Sequence, residues 1–282
     1  MRGVQTPVRQ LTYEGAIQFL RASPGHEALI RDGYLDRDPK AAAERFAQSE
    51  EFRETLVLLR HYGSIESVLD VGAGNGIATY AFARKGSTVW ALEPHPSEEV
   101  GLGAVRSVMA DMQCTLLSGV GEHIPLPDES VSVVYCRQVL HHVQDLDRVL
   151  HECRRVLKPN GVFLAAREHV VNNARQLATF LARHPVHQLA GSEHAYPLSR
   201  YLSAIEQAGL TVRAVLGPQD TIINAFPVVR STADMASIPQ MLLKHRFGRL
   251  GAAIAWFPGI APLMRYVHST MPGRMFTFIA TR

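Results

Sequence analysis

The sequence predicts an open, doubly wound α/β sheet, and three observations carry the prediction. Val68-Leu69-Asp70-Val71-Gly72-Ala73-Gly74-Asn75-Gly76 is an apolar run ending at an acid, with three glycines at alternate positions behind it. Residues 77–84 then read as a helix closed by Gly86. Strand, glycine loop and helix make the first crossover of a parallel sheet, whose ligands sit at the carboxyl ends of the strands. A second apolar run, Val89-Trp90-Ala91-Leu92-Glu93, again ends in an acid. Across residues 66–166 the alternation continues to five strands with three or four helices.

The glycine loop does not fit the dinucleotide fingerprint G-x-G-x-x-G: Gly72 and Gly74 match, but Ile77 stands at the last position. The spacing is G-x-G-x-G behind an acid, and it resembles the first motif of the class I S-adenosylmethionine (SAM) methyltransferases. Glu93, about 20 residues further on, is placed to accept both ribose hydroxyls. The resemblance implies a seven-stranded Rossmann-like methyltransferase sheet with N-terminal helices and a C-terminal helical insertion. It also implies SAM as cofactor, with S-adenosylhomocysteine (SAH) as product. Asp70, Gly72, Ala73, Gly74, Gly76, Glu93, Pro94, Gly121, Glu122 and Arg137 are the expected cofactor contacts. Many members carry an acid just after the third strand for the adenine amine. Val120 stands there, which leaves adenine to the backbone or to Glu122.

The remaining elements follow in order. Residues 11–36 read as two short helices broken at Pro24. Asp38 caps a helix with Pro39 in its first turn, running to about His61. The resemblance implies that this N-terminal segment lies over the cofactor, while Tyr34 and Arg45 read as surface residues. A helix over residues 97–108, a third strand over 114–117 and a fourth over 131–135 come next. Asp145 caps a helix whose apolar residues recur at 3–4 spacing, stopped by Lys158-Pro159-Asn160-Gly161 before the fifth strand, 162–166. Residues 169–197 read as a helix and a long loop, 199–208 as a helix and 210–216 as a strand. Proline- and glycine-punctuated helices fill 217–274, and 274–281 is a last strand, which the resemblance sets antiparallel beside the fifth. The expected division is a helical cap over 1–64, a SAM-binding core over 65–216 plus 275–282, and an insertion over 217–274.

Composition narrows the partners. The 282 residues carry 29 basic and 26 acidic side chains, a formal charge of +3, with 46% hydrophobic content. That balance, without a basic run, argues against nucleic acid. Cys114, Cys136 and Cys153 read as reduced core thiols, and residues 1–10 hold no apolar signal region, so a cytoplasmic protein is expected. The apolar stretch 250–267 is interrupted by Pro258-Gly259, Pro262 and Arg265, which argues against a membrane span. It reads either as packing on the sheet or as a lid over an apolar substrate.

The acceptor side draws on an unusual supply of histidine, 13 in the chain. His141 and His142 follow the fourth strand, Glu168 and His169 the fifth, and His184, His187, Glu193 and His194 lie on the loop expected to cover the same sheet edge. A base is needed only where the acceptor holds a proton at attack. His141 is the expected general base, His142 a buried scaffold residue, and Glu168 or Glu193 the group that orients the acceptor. His169 and His194 complete the expected catalytic set. Ubiquinone-type O-methyltransferases hold a divalent ion at E-x-x-E-H. Here the stretch is Gln138-Val139-Leu140-His141-His142, and only His142 matches. A zinc site of His and Glu drawn from several loops is the alternative, but no tight spacing argues for it, so no metal is expected. The expected activity is methyl transfer from SAM to a small molecule, with an oxygen or nitrogen nucleophile ahead of carbon. The alternatives are a SAM-binding protein without transferase activity and, disfavoured by Ile77, a nicotinamide-dependent oxidoreductase.

Overall fold

The computed structural model describes residues 10–282 apart from 192, 255, 256 and 258. The reading of a missing signal region over residues 1–9, and Ser192, Trp256 and Pro258 of the stretches singled out above, lie outside the described residues. Apolar runs with β-branched residues form β1 (Ser67–Val71), β2 (Thr88–Glu93), β3 (Thr115–Ser118) and β4 (Val131–Arg137). They are followed by β5 (Leu157–Val171), the two-residue β6 (Tyr196–Pro197), β7 (Thr211–Leu216) and β8 (Arg274–Thr281). The sheet order is β3-β2-β1-β4-β5-β8-β7, with β6 paired to β5. β1 to β5 run parallel, and β8 enters antiparallel between β5 and β7. The sheet is therefore the predicted doubly wound one, and β1 and β4 bracket the point where its order reverses.

Alternation along each strand splits the core into two layers. Val68, Val89, Ala91, Val133, Tyr135, Val162 and Leu164 face the helices Pro39–Ala47, Glu50–Tyr62 and Ile77–Ala83. Leu69, Val71, Leu92, Val134, Cys136, Phe163 and Ala165 face the helices Leu146–Val156 and Leu198–Gln207. Each fully buried Val, Leu or Phe among them contributes roughly 1.5–3 kcal/mol. Cys136 and Cys153 belong to the second layer and are free thiols, as is Cys114.

Several elements differ from the sequence reading. The helix expected from Asp38 to His61 is two helices, because Ser49 turns extended and caps the second through Phe52 N. Tyr34 is a core residue rather than a surface one: it is 2% exposed and its ring meets Phe46 and Phe226. Arg45 pairs outward with Asp36. The fifth strand runs from 157 to 171 instead of 162–166, with a register shift between Ala165 and Glu168 where Arg167 takes a positive φ. Of the helix and long loop expected after it, the helix is Ala174–Leu181, and the loop holds a second one, Pro185–Ala190.

The described residues of the stretch 250–267 do not pack as core on the sheet. Leu250, Phe257, Leu263 and Tyr266 are each more than half exposed, and the helix Ile260–Ser269 has no buried residue. Ala261, Pro262, Arg265 and Tyr266 line a separate cavity of about 730 Å³ against Gly217–Asp220. Among the described residues, no helix is long and apolar enough to cross a membrane.

A buried ion cluster ties the N-terminal helices to the sheet. Glu51, 1% exposed, accepts from Arg137 Nε at 2.7 Å and Nη2 at 3.2 Å, and Arg167 Nη1 lies 4.0 Å away. Burial opposes the charge on Arg137, but Glu51 outweighs it and holds the guanidinium above its ordinary pKa. Removing one partner of such a pair leaves an uncompensated buried charge, at a cost of about 3–5 kcal/mol. Glu51→Ala is expected to lose that much stability in denaturant unfolding, because it strands two guanidiniums. A loss below about 1 kcal/mol would show that water already screens the cluster.

Candidate active site

The cleft at the carboxyl ends of β1, β2, β4 and β5 has a volume of about 850 Å³. One side is the glycine loop. Gly72 N and Ala73 N both donate to Leu92 O, folding the loop back over β2. Gly72, at φ +65°, has no room for a side chain: a Cβ there would lie 2.7 Å from Val139 Cγ2. Gly74, at φ +54°, is the opposite case, since a Cβ would meet only Gly72 O at 3.9 Å. The space over Gly74 belongs to the cleft, which is the bare backbone a close-lying ligand requires.

Glu93 closes this half. Its Oε2 accepts from Gly74 N and its Oε1 from His95 N, both at 3.0 Å. Burial pushes its pKa up, while those two backbone N–H groups oppose the shift. Each carboxylate oxygen keeps acceptor capacity for a donor from the cleft. Asp70 is 2% exposed and accepts from Thr79 Oγ1 at 2.6 Å, and burial pushes its pKa up to about 7. Pro94, Val120, Gly121 and Glu122 continue the lining. The Glu122 carboxylate also accepts from Gln144 N and Asp145 N, pinning the start of the Leu146–Val156 helix. Arg137 reaches the cleft wall, but its guanidinium is committed to Glu51 and Gln138. The expected cofactor contact through Arg137 is therefore corrected to a structural clamp.

The roof is built from two segments. The N-terminal helix Tyr13–Ala22 buries Ala16, Ile17 and Leu20 against Val100 and Val186, and Leu11 N donates to Leu189 O of the second segment. Tyr13 was not singled out by sequence. It lines the cleft with 39% of its surface accessible, and Glu193 and Glu93 lie near. Burial first, then those carboxylates, push its phenol up to about 12. A tyrosine at the start of a helix carries no sequence signal for such a role.

The far end of the cleft gathers His141, His142, His169, His184 and Glu193. Glu168 supports them from beneath. Fully buried, it accepts from Val139 N, Leu140 N and His141 N, and it bonds His141 Nδ1 at 2.7 Å. With these four partners it has no place to orient an acceptor, so the expected role for Glu168 is corrected to positioning the loop after β4. The two neighbouring histidines exchange roles as well. The His141 side chain is 1% exposed, whereas that of His142 is 33% exposed. Burial works against a charge on His141, but Glu168 and Glu193 outweigh it and push its pKa up to about 9. A ring already protonated at neutral pH cannot take a proton, which corrects the expectation of His141 as general base.

Glu193 lies 3.6 Å from His141 Nε2, 3.7 Å from His142 Nε2 and 3.9 Å from His184 Nδ1. Burial opposes its charge, but these imidazoles hold its pKa down at about 2. His169 donates through Nδ1 to Gly273 O at 2.8 Å, and burial, with His141 nearby, pushes its pKa down to about 3. His194 does not join them: its ring packs on Tyr196, outside the cleft lining. The expected catalytic role for His194 is corrected accordingly, since the turn that aims Glu193 inward sends its neighbour the other way.

The raised pKa of His141 has a sign that can be worked out. The folded value is about 9 and the unfolded value about 6.5, so its contribution to stability is full below pH 6.5 and is lost as pH rises through 9. The protein is expected to lose stability over that window by an amount on the order of 1.4 kcal/mol per pH unit. His141→Gln should flatten the slope in denaturant titrations at pH 6.5, 8 and 9.5. A slope unchanged in the variant would remove the buried charge from His141.

Residues 69–165 match a family model described as a methyltransferase domain. The ubiquinone biosynthesis O-methyltransferase of Agrobacterium fabrum is 27% identical over 129 residues, 46% of this chain and 51% of that protein. The enzyme of the same name from Klebsiella pneumoniae is 34% identical over 97 residues, 34% of this chain and 40% of that one. The chain thus spans about half the length of the curated relatives it matches. Among solved structures, the S-adenosylmethionine dependent methyltransferase from Mesorhizobium loti superposes with a TM-score of 0.56 at 17% identity, covering 84% of this chain and 100% of that one. At that identity the likeness shows the fold. With the family match and the sheet order, it identifies residues 69–165 as a class I SAM-dependent methyltransferase domain.

Proposed function

We propose that the chain transfers the methyl group of SAM to a small molecule through an oxygen or nitrogen nucleophile. The observation that carries this reading is the single cleft, lined at one end by the glycine loop and Glu93 and at the other by His142 and Glu193. The curated relatives named above are O-methyltransferases of ubiquinone biosynthesis, which favours oxygen. The proposal includes the division into a cap, a core and an insertion at 64/65, 216/217 and 274/275, and a cytoplasmic location.

SAM, when bound, supplies an activated methyl group on a sulfonium that leaves as the thioether. The rest falls to the chain. Glu93 takes the ribose hydroxyls, and bare backbone at Gly74 lets the cofactor lie flat against the loop. The roof of Tyr13–Ala22 and Pro185–Ala190 narrows access to water. Alignment and water exclusion of this kind are worth ~7–11 kcal/mol of barrier. His142, the more exposed of the paired histidines, takes the acceptor's proton, and Glu193 orients the ring.

Calorimetry with SAH tests the cofactor half. Glu93→Ala is expected to weaken binding by about 1.5–3 kcal/mol, the value of charged hydrogen bonds, and Gly74→Val to abolish it by filling the space above the loop. Full affinity in a folded Glu93→Ala variant would remove Glu93 from the ribose. The transfer half is tested by SAH formation and mass spectrometry across a panel of phenols, alcohols and amines. Once an acceptor is in hand, His142→Gln should lower kcat by roughly 10²–10⁴ and leave SAH affinity intact. Tight SAH binding with no turnover over the whole panel would favour a SAM-binding protein without transferase activity.

A further inference from the structure

The buried histidines at the far end of the cleft have a geometry that acid–base chemistry alone does not require. His141, His169 and Glu193 come from the loop after β4, from β5 and from the segment before β6, and each is less than 10% exposed. One donor atom from each lies within 4.8 Å of the other two. Both imidazoles are anchored from behind: Nδ1 of His141 bonds Glu168 at 2.7 Å, and Nδ1 of His169 bonds the Gly273 carbonyl at 2.8 Å. A carbonyl only accepts, so the His169 proton sits on Nδ1 and the lone pair on Nε2; at His141 an ion takes the place of the Nε2 proton, which binding releases. A carboxylate or carbonyl behind the ring is the usual arrangement for a metal-binding histidine, because it sets the tautomer and the ring direction.

The spacing around Glu193 points the same way. Three imidazole nitrogens surround its carboxylate at 3.6, 3.7 and 3.9 Å, which is too long for good hydrogen bonds. A tetrahedral ion with bonds of about 2.0–2.1 Å holds its donors about 3.3 Å apart; His141 Nε2 and Glu193 stand 3.6 Å apart and all three donors within 4.8 Å, so small side-chain shifts close the set around an ion. His184 Nδ1 is buried and has no hydrogen-bond partner among the described residues, although it lies beside Glu193.

We propose that His141, His169 and Glu193 hold a divalent transition-metal ion at the acceptor end of the cleft, with the fourth position left to the acceptor. Two imidazoles and a carboxylate suit zinc or ferrous iron, whereas magnesium and calcium prefer oxygen throughout. The donor set differs from E-x-x-E-H, which is absent here, and its members stand too far apart in sequence for any spacing rule to find them. Resting on the methyl-transfer reading, the ion binds the acceptor as a hydroxyl compound through its oxygen. The O–H bond breaks with its proton passing to His142, the oxygen pair forms the O–CH₃ bond, and the S–CH₃ bond breaks to release SAH.

The test uses the full chain, stripped with a chelator and dialysed, then titrated with Zn²⁺ in competition with a chromophoric zinc indicator. Uptake of one equivalent is expected, and His169→Ala and Glu193→Gln should each weaken it by about 100-fold or more. Co²⁺ in place of zinc should give the visible absorption of a low-coordinate site, lost in Glu193→Gln. SAH calorimetry on the same samples reports folding and keeps the two readings apart. Zinc uptake without SAH binding would support the metal site and remove the methyltransferase reading. No uptake by the unmutated chain, or uptake undiminished in both variants, would overturn the site.

Discussion

The carboxylate of Glu168 is the interaction on which the rest of the site depends. A bare buried carboxylate costs several kcal/mol, and this one is held by three successive backbone N–H groups, Val139 to His141, and by the His141 ring. The contact fixes two elements at once. The loop leaving β4 must turn so that its amides converge, and Gln138 takes a positive φ to do so. β5 must aim Glu168 at that loop, which it does beyond the register shift and the positive φ of Arg167. Val139 is then set against Gly72, so the shape of the glycine loop follows from the same anchor. His141 is set toward Glu193, so the far end of the cleft follows from it too.

Two buried charge clusters flank the ends of β4 and β5. On one side Glu51 binds Arg137 and stands near Arg167, which joins the Glu50–Tyr62 helix to the sheet. On the other, His141 lies between Glu168 and Glu193. The first is geometrically complete, with bidentate contact at Glu51. The second is held firmly only from behind: Glu168 is at bonding distance, while Glu193 stands off at 3.6 Å. That asymmetry is why the second cluster reads as a place for something to bind.

Much of the fold was legible in the sequence because its signals are local. Alternating apolar runs gave β1 to β4, Asp38 and Asp145 are the caps they resemble, and the last strand pairs antiparallel with β5 as expected. The glycine loop and Glu93 lie together, as a strand–loop–helix unit followed by a second strand demands. The acceptor end was less legible. Two adjacent histidines after a strand point in different directions, and only the turn at Gln138 decides which is buried. Glu168-His169 at a strand end looks like a pair facing a cleft. The unforeseen extension of β5 to Val171 instead turns Glu168 beneath the loop and leaves His169 on the wall. The roof was legible too: the N-terminal segment and the 184–196 loop were both read as covers and they pack together, although the loop holds the unforeseen Pro185–Ala190 helix.

The central claim is that the cofactor loop and the histidine–glutamate cluster serve one reaction in one cleft. A crystal structure of the chain with SAH and Zn²⁺, with data collected on both sides of the zinc absorption edge, tests it most directly. The account predicts the SAH ribose on Glu93, its sulfur directed toward the cluster, and an anomalous peak about 2.0–2.2 Å from His141, His169 and Glu193. SAH bound with its sulfur turned away from these residues, or zinc bound elsewhere with the cluster unchanged, would contradict it.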